Sequence, residues 1–211
     1  MSPAVRLALQ RPRRRSHAER STETRAAIMG AVVESIAEVG FERSTASEIA
    51  RRAGVTWGAV QHHFGGKDGI LAAVLEDSFN RFAERLSGID ADGLSLERRA
   101  AHFVDRAWEH FGSAHFRSTF EILQHYAAPS PEHAWQAQML TAWDRAWSQL
   151  FAEHPLSRAR HIALQHYTIS VLTGLASMLR FQTPSAAVRA LELDLLKHTL
   201  VRELGGKSGR R

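Results

Sequence analysis

Between Thr45 and Lys67 the chain gathers side chains suited to reading polar edges and anions. The run is TASEIARRAGVTWGAVQHHFGGK. The Gln61 amide has the donor–acceptor pair that matches the adenine edge in a major groove. Thr56, His62 and His63 suit phosphate or base-edge contacts. Trp57, expected to be exposed, offers a ring for a thymine methyl or a sugar-phosphate surface. Gly58 has no Cβ, so the element carrying it can approach another surface closely.

Two short helices would position these groups. Thr45 and Glu48 have capping-box spacing, in which each side chain satisfies a backbone donor at a helix start. Ile49, Ala50 and Ala53 give the first helix one apolar face. Gly54 stands where a left-handed residue ends a helix. Thr56 then caps a second helix over Trp57 to His63, with Val55, Val60 and Phe64 spaced to pack back on the first. Two helices joined by a tight turn containing Gly form a helix-turn-helix, whose second helix enters the DNA major groove in DNA-binding versions.

These residues fall in a register that resembles the N-terminal domain of the TetR (tetracycline repressor) family. The pattern is carried by Gly40-Phe41, Thr45 with Ile49-Ala50, Ala53-Gly54-Val55-Thr56, Gly58-Ala59-Val60-Gln61-His62-His63-Phe64 and Lys67. It departs at Gln61, where the family usually has Tyr, and at Trp57, a slot that usually holds a small or basic residue. Both lie on the reading helix and bear on the operator sequence rather than on the fold. The resemblance implies that Lys67, Thr45 and Ser47 act as phosphate clamps, that the chain dimerises through its last two helices, and that a ligand in the C-terminal bundle loosens DNA. Two recognition helices would then lie about 34–36 Å apart, one turn of B-DNA.

Charge is concentrated at the chain's ends. Of the net +5, residues 1–20 hold +5 from six Arg and one Glu, residues 205–211 hold +3, and the body between them is −3. DNA contacts by the body must therefore be local. The N-terminal segment is expected to be a disordered arm, either a solubilising tail or a source of added phosphate and minor-groove contacts. With no Cys, disulfides and thiolate metal sites are excluded, which fits a reducing cytoplasm. The most apolar stretch, Ile169 to Leu179, falls short of the ~20 residues a membrane helix needs, and the Arg cluster after a brief apolar start is not a secretory signal.

Helical periodicity continues to the end, so the expected fold is all-α with about nine helices. The expected organisation is an arm at 1–20, a helix-turn-helix domain at 21–66 with its motif at about 45–64, a ligand-binding and dimerisation domain at 67–204, and a basic tail at 205–211. The first helix spans about Thr22 to Val39, and a long helix runs from Lys67 to Leu86. The last two helices, about Leu156 to Phe181 and Pro184 to Leu204, carry two apolar stripes each. One stripe suffices for a surface helix, so the second predicts a homodimer interface at Ile162, Ile169, Leu172, Leu179, Val188, Leu191 and Leu195. Large rings concentrate in the C-terminal part. Phe103, Trp108, Phe120, Tyr126, Trp143 and Tyr167 are candidate pocket residues for a small apolar or aromatic effector, with His102, His125 and His166 as polar anchors.

No catalytic residue, metal site or cofactor is expected. The chain has no nucleophile elbow, Gly-rich phosphate loop after a strand, or HExxH-type arrangement, and its close His pairs leave any metal set incomplete. The expectation is a cytoplasmic, ligand-responsive repressor that binds double-stranded DNA as a dimer. The competing reading is a small-molecule-binding or interaction protein with a weak, non-specific helix-turn-helix.

Overall fold

The structure is a computed structural model. It describes residues 16–89, 92–126, 134–182 and 184–206, without the side chains of residues 126, 134–140 and 142. The described residues form helices and no strand. In order these are α1 (His17–Val39), α2 (Ala46–Ala53), α3 (Trp57–Phe64), α4 (Lys67–Ser87), α5 (Leu96–Phe111), α6 (Ala114–Tyr126), α7 (Ala134–Phe151), α8 (Arg158–Met178) and α9 (Ala186–Gly205). None is long and apolar enough to cross a membrane.

Local chemistry sets most helix starts. Ser16, Thr45, Thr56, Ser95, Ser157 and Ser185 each accept a backbone N–H from the first turn of the following helix, which satisfies donors that otherwise lack a helical partner. The full capping box is at Ser16 and Glu19, so α1 starts five residues before the expected Thr22, and residues 17–20 of the expected arm are helical. Residues 1–15 of the arm and 207–211 of the basic tail lie outside the described residues. At Thr45 the box forms only on one side. The hydroxyl accepts Glu48 N–H at 3.3 Å, but the Glu48 carboxylate is drawn away to Arg51 (2.7 Å) and Arg52 (2.5 Å).

Two apolar cores are stacked along the molecule. The N-terminal core joins Ile28, Val32 and Ile36 of α1, Ile49 of α2, Val60 of α3, Ile70, Leu71, Val74, Leu75 and Phe79 of α4, and Ile122 of α6. The C-terminal core joins Phe82 and Leu86 of α4 with α5, α7, α8 and α9, plus Phe116 of α6. Thus α4 and α6 are the elements that belong to both.

α8 and α9 divide their stripes between inside and outside. Leu164, Thr168, Leu172 and Ala176 are buried along one line of α8, and Leu193, Leu196, Leu200 and Leu204 along one line of α9. Expected interface residues Ile162, Val188, Leu191 and Leu195 are 41%, 47%, 65% and 70% exposed, beside Met178 and Phe181. Leu172 instead has no exposure, and Ile169 packs against the C-terminal core. Leu179 is half-buried. Two stripes mark a helix with two partners; α8's rotation against α5 and α9 decides which stripe faces inward, and it turns Leu172 into the chain's own core.

Candidate nucleic-acid interface and effector cavity

The turn between α2 and α3 is built as its sequence requires. Gly54 has φ of 66°, a left-handed conformation, and its N–H caps α2 on Ala50 and Arg51 carbonyls, a geometry side chains with a Cβ resist. Val60 is fully buried beneath α3. Opposite it, Gly58, Gln61 and His62 face solvent, with Thr56 at the cap. Thr45 and Ser47, at the start of α2, are also exposed. Of the expected reading residues, the structure thus leaves Thr45, Ser47, Thr56, Gly58, Gln61 and His62 exposed.

Trp57 departs from expectation. It is half-buried and packs against the N-terminal core, because the first turn of α3 lies close enough for the ring to cover apolar neighbours. His63 is also half-buried. Its carbonyl accepts a hydrogen bond from Arg25 Nη1 at 2.6 Å, and the same guanidinium sits 4.2 Å from the Phe64 ring centroid. A cation at the C-terminal end of a helix is electrostatically favoured, so Arg25 pins α3 to α1. Gly69 permits the next junction: a Cβ there would lie 1.8 Å from the Phe64 carbonyl oxygen.

Ion pairs brace α2. Arg52 bridges Glu48 and Glu38 of α1, each at 2.5 Å. The hydrogen bonds from Arg51 and Arg52 hold the Glu48 carboxyl down to about 2, and Arg52 lowers Glu38 as well. All three groups therefore stay charged across the physiological range.

Lys67, the first residue of α4, lies with Nζ 5.0 Å from the Phe41 ring centroid. The Phe41 ring also stacks on His125 of α6 at 4.5 Å and 14°. Its backbone N–H donates to Glu121 Oε2 at 3.1 Å, while Glu121 Oε1 takes Arg180, just past α8, at 2.7 Å. Elsewhere on α6, Ser118 Oγ donates to the Val33 carbonyl at 2.9 Å. The N-terminal end of α4 is thus tied through Phe41 to α6 and to the end of α8. This link joins residues far apart in the chain and has no local sequence signal.

A cavity of about 160 Å³ lies in the C-terminal domain, against the shared helices. Its described walls are Phe79 and Phe82 of α4, His110 and Phe111 of α5, Phe116, Phe120 and Leu123 of α6, Trp143 of α7, and Ile169 and Thr173 of α8. Of the expected pocket residues, Phe120 and Trp143 line it. Phe103 is fully buried behind it, edge-on to Trp143 at 5.0 Å. Trp108 lies on the α9 side, where the Arg189 guanidinium sits 4.5 Å over its ring. Tyr167 lines an outer cleft between α8 and α9. The Tyr126 side chain lies outside the described residues.

The expected anchors His102, His125 and His166 are exposed. The imidazole in the wall belongs to His110, 2% exposed. Burial, reinforced by the Arg85 charge, pushes it down to about 3, so it is neutral at physiological pH. Its place on the buried stripe of α5, with Phe103 and Ala107, was a sequence signal that its pairing with His115 obscured.

The fold and exposed motif define an all-α, helix-turn-helix protein with a separate C-terminal helical core. Residues 28–74 match the family described as "Bacterial regulatory proteins, tetR family". The match covers 47 of the chain's 211 residues, those of the helix-turn-helix segment and the helices flanking it. Among curated relatives, "HTH-type transcriptional regulator BetI 1" of Chromohalobacter salexigens is 34% identical over 71 residues, covering 34% of this chain and 35% of that protein. "HTH-type transcriptional regulator BetI" of Burkholderia ambifaria is 28% identical over 138 residues, covering 65% of this chain and 60% of that protein. The chain thus spans less than two thirds of the length of these relatives. A TetR-family transcriptional regulator of Haemophilus influenzae shares the fold, with TM-score 0.66 at 16% identity, over 85% of this chain and 97% of that one.

Proposed function

We propose that the chain is a ligand-responsive transcriptional repressor that binds a palindromic operator as a homodimer in the cytoplasm. The carrying observation is α3, which seals Val60 into the core and leaves Gly58, Gln61 and His62 open on one side. In this reading Gln61 and His62 meet base edges. Thr45, Ser47, Thr56 and Lys67 hold phosphates, with His63 and Trp57 contributing from the margin of the helix. The exposed apolar line of Ile162, Val188, Leu191 and Leu195 supports a second copy as the partner. The effector reading rests on the cavity between α4 and α6, since ligand there touches both helices that reach the DNA-binding core. An effector acts only if it prefers the state that releases DNA, and DNA then weakens the effector by the same factor.

Selection of duplexes from a random library by purified protein, at fixed near-physiological salt, tests the reading. Enrichment of one palindrome is expected. Uniform, salt-sensitive affinity without an enriched sequence overturns it and favours the competing reading, a ligand-binding protein with a non-specific motif.

A further inference from the structure

The walls of the C-terminal cavity specify its ligand more closely than "apolar or aromatic". An apolar cavity of roughly 150 Å³ admits one benzene-sized ring, and this cavity is about 160 Å³ and partly open. Its rings already pack on one another: Phe82 stacks on Trp143 at 5.4 Å and 18°, and Phe111 meets Phe82 edge-on at 5.8 Å and 87°. A second ring held within these walls would have to displace them.

Charge is disfavoured in both signs. No described wall residue carries a charge at neutral pH. An anion would enter without a cation in the wall, and isolated buried charges are costly. A cation would find aromatic faces, but no carboxylate among the described wall residues. The positive potential of Arg85, which helps keep His110 neutral, also opposes it.

One polar group of a wall residue is unpaired. Trp143 is 2% exposed, and its Nε1–H has no hydrogen-bond partner among the described residues. Buried indole N–H groups ordinarily find an acceptor. We propose that the cavity binds an uncharged single-ring compound bearing a hydrogen-bond acceptor, such as an aryl ketone, aldehyde or ester, and that Trp143 Nε1–H donates to that acceptor. This rests on the reading of the cavity as the effector site.

The test is calorimetric titration of the full chain with four probes of similar size: acetophenone, ethylbenzene, benzoate and benzyltrimethylammonium. Acetophenone is expected to bind about 10-fold tighter than ethylbenzene, the worth of one net hydrogen bond, with no binding of the two ions. Trp143→Phe keeps a ring and removes the donor. It should bring acetophenone down to the ethylbenzene affinity and leave ethylbenzene unchanged. Ile169→Phe narrows the cavity and should weaken both neutral probes alike. If Trp143→Phe loses helical circular dichroism, the acetophenone–ethylbenzene comparison in the unaltered chain decides.

Equal affinity for those two probes overturns the donor role. Tighter binding of either ion, or no binding of any neutral ring, overturns the ligand class. Repeating the titrations on protein bound to a selected duplex separates the two readings. Rings that bind without weakening DNA contradict the repressor switch and leave the ligand class standing. A chain that binds the duplex but takes none of the neutral rings even when free of DNA contradicts the ligand class alone.

Discussion

At the residue scale, the account assigns different work to two polar side chains of the motif. Gln61 stands on the open face of α3, where the proposed function has it read one base pair. Gln61→Ala is expected to cost about 1–3 kcal/mol on the preferred duplex and to relax preference at one position per half-site. Lys67 is proposed to contact phosphate. Lys67→Ala should weaken all duplexes alike and lower the salt slope by about 1 per site. Fluorescence anisotropy over a salt series distinguishes the two. The exposure of Gln61 and the start of α4 at Lys67 were legible in the sequence because caps, turn and face depend on neighbours within four positions. Trp57 was misjudged, since its burial depends on how α3 sits against the N-terminal core. Arg25 was missed, because it meets His63 38 positions away.

His110 gives a second prediction at this scale. Its folded value, about 3, lies below the ~6.5 of an unfolded histidine. Between these values the unfolded chain binds more protons, so stability falls as pH drops from about 6.5 towards 3. Roughly 2 kcal/mol should be lost between pH 7.5 and 5 from this residue. His115, also lowered by burial, acts in the same direction. Urea unfolding should show a smaller acid loss in His110→Phe than in the unaltered chain. An equal loss contradicts the assignment.

At the element scale, α6 is the part most suited to carry a signal. Phe116 and Phe120 face the cavity, Ile122 sits in the N-terminal core, and Glu121 holds the Phe41 backbone and Arg180. A ligand that displaces Phe116 or Phe120 therefore acts on the helix that braces Phe41, against which Lys67 rests. Glu121→Ala cuts the brace without touching the cavity wall. Probe affinity in free protein should change less than about 2-fold, while the factor by which ligand and DNA weaken each other falls towards 1. An unchanged factor contradicts this route. The helices themselves were legible from period and caps. The Phe41–Glu121 brace was not, since its partners are 80 positions apart. Nor was the cavity wall: buried Phe103 and wall-lining Phe120 look alike in a sequence, and only the packing separates core from wall.

At the scale of the whole molecule, two stacked cores share α4 and α6, and an apolar line on α8 and α9 stays open. The sequence showed that these helices have two apolar faces but not which face is internal. Leu172 went inside, while Leu191 and Leu195, 65% and 70% exposed, stayed outside. A double change, Leu191→Asp with Leu195→Asp, should convert dimer to monomer in sedimentation without loss of helix, and should weaken palindrome binding far more than half-site binding. A monomeric unaltered chain contradicts the assembly.

The central claim is that α3 reads sequence. It is tested most directly by the ratio of affinities for the selected palindrome and a scrambled duplex of the same length, measured by anisotropy at one fixed salt concentration. The account predicts a ratio of at least ~10³, with a marked fall in Gln61→Ala. A ratio near 1, unchanged by Gln61→Ala, would contradict it.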